Sequence, residues 1–382
     1  MFSSRFGASE GSSPQWQAKL ALEASGGKVL DLTGSNPTTA GIPYPGGIPA
    51  LFNRDSVMRY EPSPQGAPLA RRAVSEYYRR RGRDVRPDDL LLTASTSEAY
   101  AFLFKLLCDP GDEILIPTPS YPLFDALAEL EQVSLVRYPS SDLALLRNLI
   151  STRCKALILV NPNNPTGRLL DAAEIRAYLE LAAAYGLALI IDEVFCDYPL
   201  AGKAYLPFPS QGPLVFTLNG FSKTLGLPQL KLGWMHVAGA PASVRAAKEH
   251  LEWIADTFLS VNTPVQAAAP DLLDLAPGIQ AAILERLRSN LRAAEALVRR
   301  HGFPWSPPDA GWYLVLDPGI NDDGDDETFA LDLLRRQSVH AHAGHLFGFE
   351  EGRLVLSLLG PEDEFQEGLR RILAFAEEFR HG

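Results

Sequence analysis

Apolar residues gather in short unbroken runs through the middle of the chain. DLLLTAS (89–95), EILIPTPS (113–120), KALILVNPNNPTG (155–167), LALIIDEVF (187–195), PLVFTLNGFS (213–222) and KLGWMHVAG (231–239) predict strands. Longer helical patterns separate several of them, such as SEAYAFLFKLLCDPGD (97–112), stopped at Asp-Pro-Gly, and AAEIRAYLELAAAYG (172–186), stopped at a glycine. Strands apolar throughout and joined by helices imply a mostly parallel sheet covered on both faces. After about Asn262 the pattern changes. A long amphipathic helix is predicted at 277–302, strands in GWYLVLDP (311–318) and GRLVLSLL (352–359), and a closing helix at 363–380, the pattern of a smaller α+β unit.

With 382 residues and 46% hydrophobic composition, the chain can build a sizeable core. Its net charge of -11 argues against broad binding to nucleic acid or anionic lipid. The basic stretch YYRRRGRDVR (77–86) reads as a solvated helix end and loop. Cys108, Cys154 and Cys196 are too widely spaced for a zinc site and suit a reducing compartment. The acidic run NDDGDDE (321–327) lacks the alternating ligands of a calcium loop and reads as a turn and helix cap, so no metal is expected. No apolar run spans a bilayer and the first residues lack a signal-peptide core, so a cytoplasmic location is expected, with no membrane or nucleic-acid partner.

Open α/β sheets place ligands at the C-terminal ends of their strands, and three polar clusters stand there. TASTSEAY carries Ser95, Thr96 and Ser97 into a helix N-terminus, with Ser95 three residues before Glu98; this reads as a helix cap first and a phosphate site second. VNPNNPTG is turn chemistry. Asp192 and Glu193 end an apolar strand, where a carboxylate needs a cation, a cap or a cofactor nitrogen. A fourth stretch, FTLNGFSKTLGLPQLKLGWM (216–235), holds Lys223 and Lys231 in largely apolar surroundings. It fails as a nucleotide-binding P-loop, because Ser222 rather than glycine precedes Lys223. A lysine amid small residues can instead form a Schiff base with a cofactor.

In order and spacing, NPNNPTG, DEVF and SKTLGLPQLKLGW together resemble the class I/II aminotransferases, over nearly the whole chain from DLTGSNPT to EGLRRILAF. The resemblance implies a fold-type I pyridoxal 5'-phosphate enzyme: a large domain at 45–265 with a mostly parallel sheet, and a small one from 1–44 and 266–382. It implies Lys223 as Schiff-base lysine and proton shuttle, Asp192 as partner of the pyridinium nitrogen, and Asn164 as donor to the ring's phenolate oxygen. Tyr121 matches the stacking aromatic. Ser95, Thr96, Ser97 and Ser222 match phosphate contacts, and Tyr60 a phosphate contact made across a homodimer interface. Ser35 and Asn36 match the segment that closes over substrate.

Four positions depart from the family pattern. Phe195 replaces a frequent tyrosine, which removes a donor to the phenolate and raises the expected pKa of the lysine–cofactor imine. Gly220 stands for a frequent serine. Lys231 stands for a phosphate-clamping arginine, with the charge but without the bidentate fork. Val355 occupies the place of the arginine that binds a substrate carboxylate; Arg353 is on the same strand face but about 7 Å along it. Arg353 and His345 are the alternative candidates near substrate. The expected activity is amino-group transfer between an amino acid and a 2-oxo acid. A β/γ-lyase using the same cofactor residues is the alternative. A non-catalytic cofactor-binding regulator is disfavoured by the acidic charge and the lack of a DNA-binding extension.

Overall fold

The structure, a computed structural model, describes Ser3, Arg5 and residues 13–320 and 326–381, with side chains through 378. Of the acidic run at 321–327, only Asp326 and Glu327 fall within these residues, at the start of a helix.

The strands are β1 (Leu30–Asp31), β2 (Leu90–Thr93), β3 (Glu113–Thr118), β4 (Ser134–Pro139), β5 (Cys154–Val160), β6 (Ala188–Asp192), β7 (Val215–Gly220), β8 (Gly233–Ala238), β9 (Tyr313–Leu316), β10 (Val339–His340), β11 (His342–Ala343) and β12 (Leu354–Ser357). The helices are α1 (Pro14–Ala24), α2 (Pro68–Arg79), α3 (Thr96–Leu107), α4 (Leu123–Glu131), α5 (Leu143–Leu149), α6 (Ala172–Tyr185), α7 (Phe221–Thr224), α8 (Pro241–Phe258), α9 (Thr263–Arg300), α10 (Asp326–Gln337) and α11 (Glu362–His381).

Seven strands form the central sheet in the order β2-β8-β7-β6-β5-β3-β4, and only β8 runs against the rest. Alternate residues serve its two faces. Ile114, Ile158, Ile190 and Phe216 join one buried cluster with α3 and α8, while Leu115, Leu157, Leu189 and Val215 join another with α5 and α6. This two-sided burial is the physical reason for unbroken apolar runs. Local signals set the connections. Asp171 and Glu174 close a capping box on α6, and Gly186 ends that helix in the left-handed conformation. β1 pairs in parallel with β10, and β11, β12 and β9 make a small antiparallel sheet. A third cluster packs α2, α9 and α11 against these small sheets.

α9 begins at Thr263, fourteen residues before the helix start at 277 that the sequence suggested, and carries Pro270 and Pro277 inside it. Each proline lacks the N–H that an inner helical residue donates, yet Val265, Ala269, Leu272 and Ala276 are buried around them. Packing overrides the local break. Among the described residues no helix is long and apolar enough to cross a membrane, and no group of acidic, histidine and cysteine residues is arranged to hold a metal.

Candidate active site

The C-terminal ends of β5, β6 and β7 lie side by side, with Val160 in register with Asp192 and Gly220 opposite Gly233 of β8. A cavity of about 280 Å³ opens over them. Its wall includes Lys223, Asp192, Asn164 and Tyr121, the hydroxyls of Ser35, Ser95, Thr96, Ser97 and Ser222, and Lys231. Residues spread over nearly two hundred positions of sequence thus meet at one sheet edge, as the strand-end rule anticipates.

Lys223 sits in α7, the helical turn that directly follows β7. Its backbone is fixed from several sides. Asn219 Oδ1 accepts from Gly220 N at 2.7 Å and Thr224 Oγ1 at 3.1 Å, Gln280 Nε2 donates to the Thr224 carbonyl at 2.9 Å, and the Tyr198 hydroxyl donates to the Lys223 carbonyl. Its Nζ lies 4.6 Å from the ring centre of Trp312 and 5.3 Å from that of Phe195. Burial brings the ammonium down to about 8, partly opposed by the charge of Asp192. The chain therefore presents an amine that is neutral in a usable fraction near neutral pH.

Asp192 is held by two donors: Val194 N at 3.1 Å on Oδ1 and the Tyr100 hydroxyl at 3.0 Å on Oδ2. It is thus both a turn cap and a wall of the cavity. Burial pushes its carboxyl up to about 6, against those two hydrogen bonds. Among the described residues no cation hydrogen-bonds this carboxylate, though the charge of Lys223 reaches it, and it suits a protonated ring nitrogen. Asn164, between two cis Asn-Pro bonds, has its Oδ1 buried without a hydrogen-bond partner. Its neighbours Asn161 and Asn163 instead spend their oxygens on Leu170 N, Thr166 N and Thr166 Oγ1. The unpaired Oδ1 can only accept, so the donor Asn164 can offer a ligand at this wall is its Nδ2. The residues present fit pyridoxal phosphate.

Ser95 caps α3, accepting from Glu98 N at 3.1 Å, and Glu98 Oε2 accepts from Ala94 N at 2.7 Å. The N–H groups of Thr96 and Ser97 then have no intrahelical acceptor, which makes this end an anion seat. Gly220 and Gly233 let the strands close behind it. A β-carbon on Gly220 would lie 3.0 Å from Gly233 Cα and 3.0 Å from the Leu232 carbonyl, and one on Gly233 would lie 3.2 Å from Thr96 N. A side chain at 220 would therefore need the backbone at Leu232 and Gly233 to give by a few tenths of an ångström, a physical reason that favours glycine here. Lys231 ends a short turn, Pro228–Leu230, in the left-handed conformation, so it precedes β8 rather than lying on a strand.

Other expected residues stand elsewhere in the chain. Tyr60 is 74% exposed and lines a separate surface groove with Leu259 and Gln266. Asn36 is exposed, and its Oδ1 accepts from Thr38 N and Thr38 Oγ1. Arg353 pairs with Asp317 at 3.4 Å and with Glu351, away from the cavity, so it does not replace the missing arginine within this chain. Val355 is fully buried, in register with Val315 and His342. His345 Nδ1 bonds Asp326 at 2.6 Å and lines a neighbouring cavity that shares Tyr121 with the first. Phe195 offers Lys223 an aromatic face in place of a hydroxyl.

Three functional neighbours escaped the sequence reading. Tyr100 follows Thr96 by one helical turn, a spacing that places both on one face of α3. Tyr313 lines the cavity and bonds Ser35, and Trp312 places a face against Lys223; their only signal was the strand GWYLVLDP. The basic stretch 77–86 is a helix end and loop, as the sequence suggests, with Arg79, Arg80 and Arg86 exposed, but it is not solvated throughout: Tyr77 and Tyr78 are buried, and Arg81 and Arg83 turn inward to pair with Asp197 and Glu193.

The chain matches the family profile "Aminotransferase class I and II" over residues 51–372. It is 30% identical to an alanine aminotransferase of Mycobacterium tuberculosis, over 88% of this chain and 82% of that protein. It is 26% identical to a glutamate-pyruvate aminotransferase of Haemophilus influenzae, over 96% and 95%. Among solved structures, an alanine aminotransferase from Pyrococcus furiosus superposes with a TM-score of 0.86 at 26% identity, covering 99% of this chain and 100% of that one. Site chemistry and likeness agree: the chain belongs to the class I and II aminotransferases, and it is a pyridoxal 5'-phosphate-dependent enzyme that moves amino groups between amino acids and 2-oxo acids.

Proposed function

We propose that the cavity over β5–β7 is the cofactor and substrate site, with Lys223 as its covalent and proton-transferring group. The observation that carries this reading is the meeting of a buried lysine, a buried carboxylate and an unpartnered amide in one cavity. Pyridoxal phosphate supplies, when bound, an electron sink that acidifies the Cα–H of an amino acid. Asp192 holds the proton on the ring nitrogen, and Tyr100 holds Asp192. Asn164 meets the phenolate oxygen, and Tyr121 covers the ring. Ser95, Thr96, Ser97, Ser222 and Lys231 meet the phosphate. Lys223 Nζ would take the substrate's α-proton and return a proton two atoms further on, at the cofactor's C4', and its lowered pKa serves both directions.

Among the described residues no arginine lines the cavity, so the substrate carboxylate is met by Ser35, Tyr313 or a group from a second copy. A second copy is supported by large apolar side chains left exposed: Met58 is 88% exposed, Tyr60 74% and Trp253 77%. We infer a homodimer in which Tyr60 reaches the partner's phosphate site. A cytoplasmic location is supported by three cysteines that form no disulfide.

The test is a panel of amino donors, starting with alanine and glutamate, mixed with the loaded enzyme while the cofactor's absorbance is followed. Conversion to the amine form, reversed by pyruvate or another 2-oxo acid and lost in Lys223→Ala, is the expected result. Release of ammonia with a 2-oxo acid in a single half-reaction would assign a lyase instead, and no spectral change with any amine a regulator.

A further inference from the structure

The turn after β6, Asp192-Glu193-Val194-Phe195-Cys196-Asp197, carries three carboxylates, and the cavity uses only the first. Glu193 is fully buried. Arg83 Nη1 donates to its Oε1 at 2.8 Å and its Oε2 at 2.7 Å, the Tyr78 hydroxyl donates to Oε1 at 2.8 Å, and the Tyr205 hydroxyl donates to Oε2 at 2.6 Å. Trp234 Nε1 in turn donates to the Tyr78 hydroxyl at 2.9 Å. Four donated bonds thus converge on the Glu193 carboxylate, with Trp234 backing one of the donors.

A fully buried charge one residue from Asp192 has consequences for it. In a low dielectric the field of one carboxylate opposes the ionisation of another even without contact. The field of Glu193 does raise Asp192, while Tyr100, Val194 N and Lys223 lower it. Burial raises Tyr121, and the charge of Asp192 adds to that rise. Facing Glu193 are Arg83, Tyr78 and Tyr205, with His236, Cys196 and the Arg81–Asp197 pair further out. Arg83, only 11% exposed at its side chain, is the one cation bonded directly to Glu193 among the described residues.

We propose that Arg83 and Glu193 are positioning residues for Asp192: the guanidinium cancels the charge of Glu193, so that Asp192 stays ionised where it must hold the proton of the cofactor's ring nitrogen. The pair acts through charge, not through contact with cofactor or substrate. This rests on Asp192 being the ring-nitrogen partner.

The experiment measures the affinity of the cofactor-free, full-length chain for pyridoxamine 5'-phosphate against pH, by quenching of intrinsic fluorescence. That ligand forms no bond to Lys223. In the wild type, affinity falls on the acid side as Asp192 takes up its proton. Arg83→Met leaves Glu193 uncompensated and moves this midpoint up. Glu193→Gln leaves Arg83 uncompensated and moves it down. The double variant, neutral at both places, returns near the wild type. The expected separation between the two single variants is at least about one pH unit, with Arg83→Met the higher. A structural pair would weaken both variants in the same direction, so a smaller separation, or the reverse order, overturns the proposal. Thermal melting of each variant checks folding. If Arg83→Met does not fold, Glu193→Gln against wild type decides alone: an unmoved or raised midpoint overturns the proposal. Asp192→Asn is the control that separates the two readings. If its affinity shows the same acid-side loss as wild type, Asp192 is not the ring-nitrogen partner.

Discussion

The Tyr100 hydroxyl donates to Asp192 Oδ2 at 3.0 Å, so a residue from the second turn of α3 orients the carboxylate at the end of β6. Tyr100 is itself 4% exposed, and its ring packs on Phe124 at 5.2 Å. The bond favours the ionised carboxylate. Tyr100→Phe keeps the packing and removes the donor. A hydrogen bond to a charged group contributes about 1.5–3 kcal/mol, so cofactor affinity should fall by roughly 10- to 100-fold. Its acid-side midpoint should also rise. Equilibrium dialysis of the cofactor at several pH values measures both.

Lys223 must be neutral to attack an aldehyde, and burial places its pKa at about 8. Covalent capture of pyridoxal phosphate should therefore accelerate about tenfold per pH unit below 8 and level off above it. An ordinary lysine would continue to accelerate toward pH 10. Stopped-flow absorbance between pH 6 and 10 records the profile. A rate still climbing steeply at pH 9.5 would show that the amine is not depressed.

Asp192 also links cofactor loading to stability. Its folded carboxyl is raised to about 6, whereas an unfolded one titrates at about 3.9. Between these values the folded state holds the extra proton. The contribution of this group to stability is present at low pH, falls as pH rises through the window, and is at its minimum above 6. The full difference is about 3 kcal/mol. Asp192→Asn does not titrate, but it removes an attraction for Lys223. The cofactor-free variant should thus be about 1–3 kcal/mol more stable than wild type at pH 7.5, and equal to it near pH 4. With cofactor added, the wild type should overtake it. Urea unfolding at the two pH values, with and without cofactor, gives the four numbers.

Much of this cavity is legible in the chain because the residues proposed to hold the cofactor follow strands that are apolar on both faces, and such strands announce themselves. Asp192, Asn164 and Lys223 follow this pattern. What is hidden depends on partners far apart. Arg83 and Glu193 are 110 residues apart, and nothing local distinguishes an arginine that turns inward from one in water. The start of α9 is hidden for a related reason. Pro270 and Pro277 read as breaks, and only the buried face around them holds the helix together. Arg353 illustrates the converse, since strand-face arithmetic brought it near the site while Asp317 and Glu351 hold it away.

Gly220 gives a steric test of the phosphate seat. Its backbone is extended, with φ of 178°, so no special conformation requires glycine. Space does, because both atoms at 3.0 Å from an added β-carbon belong to backbone. Gly220→Ala should cost about 1–3 kcal/mol by forcing β7 from β8. Gly220→Ser should cost at least as much. Inorganic phosphate affinity of the cofactor-free chain should fall in parallel, since Gly233 backs directly onto Thr96. Unchanged melting for both variants would show that the strands part freely.

Trp253 on α8 and Met58 are the two most exposed large apolar side chains among the described residues, and Tyr60 and Phe258 are also exposed. Exposed large apolar and aromatic side chains are typical of surfaces that a partner covers. If a second copy covers them, Trp253→Lys and Met58→Lys should place charge in that interface and shift the chain toward monomer. The monomer should lose cofactor affinity as well, because Tyr60 then reaches no partner, while Tyr60→Phe should weaken the cofactor without changing mass. Sedimentation equilibrium, paired with cofactor titration, separates these effects. A wild type that sediments as a monomer with full cofactor affinity would end the shared-site reading, and Tyr60 would then have no part in binding phosphate.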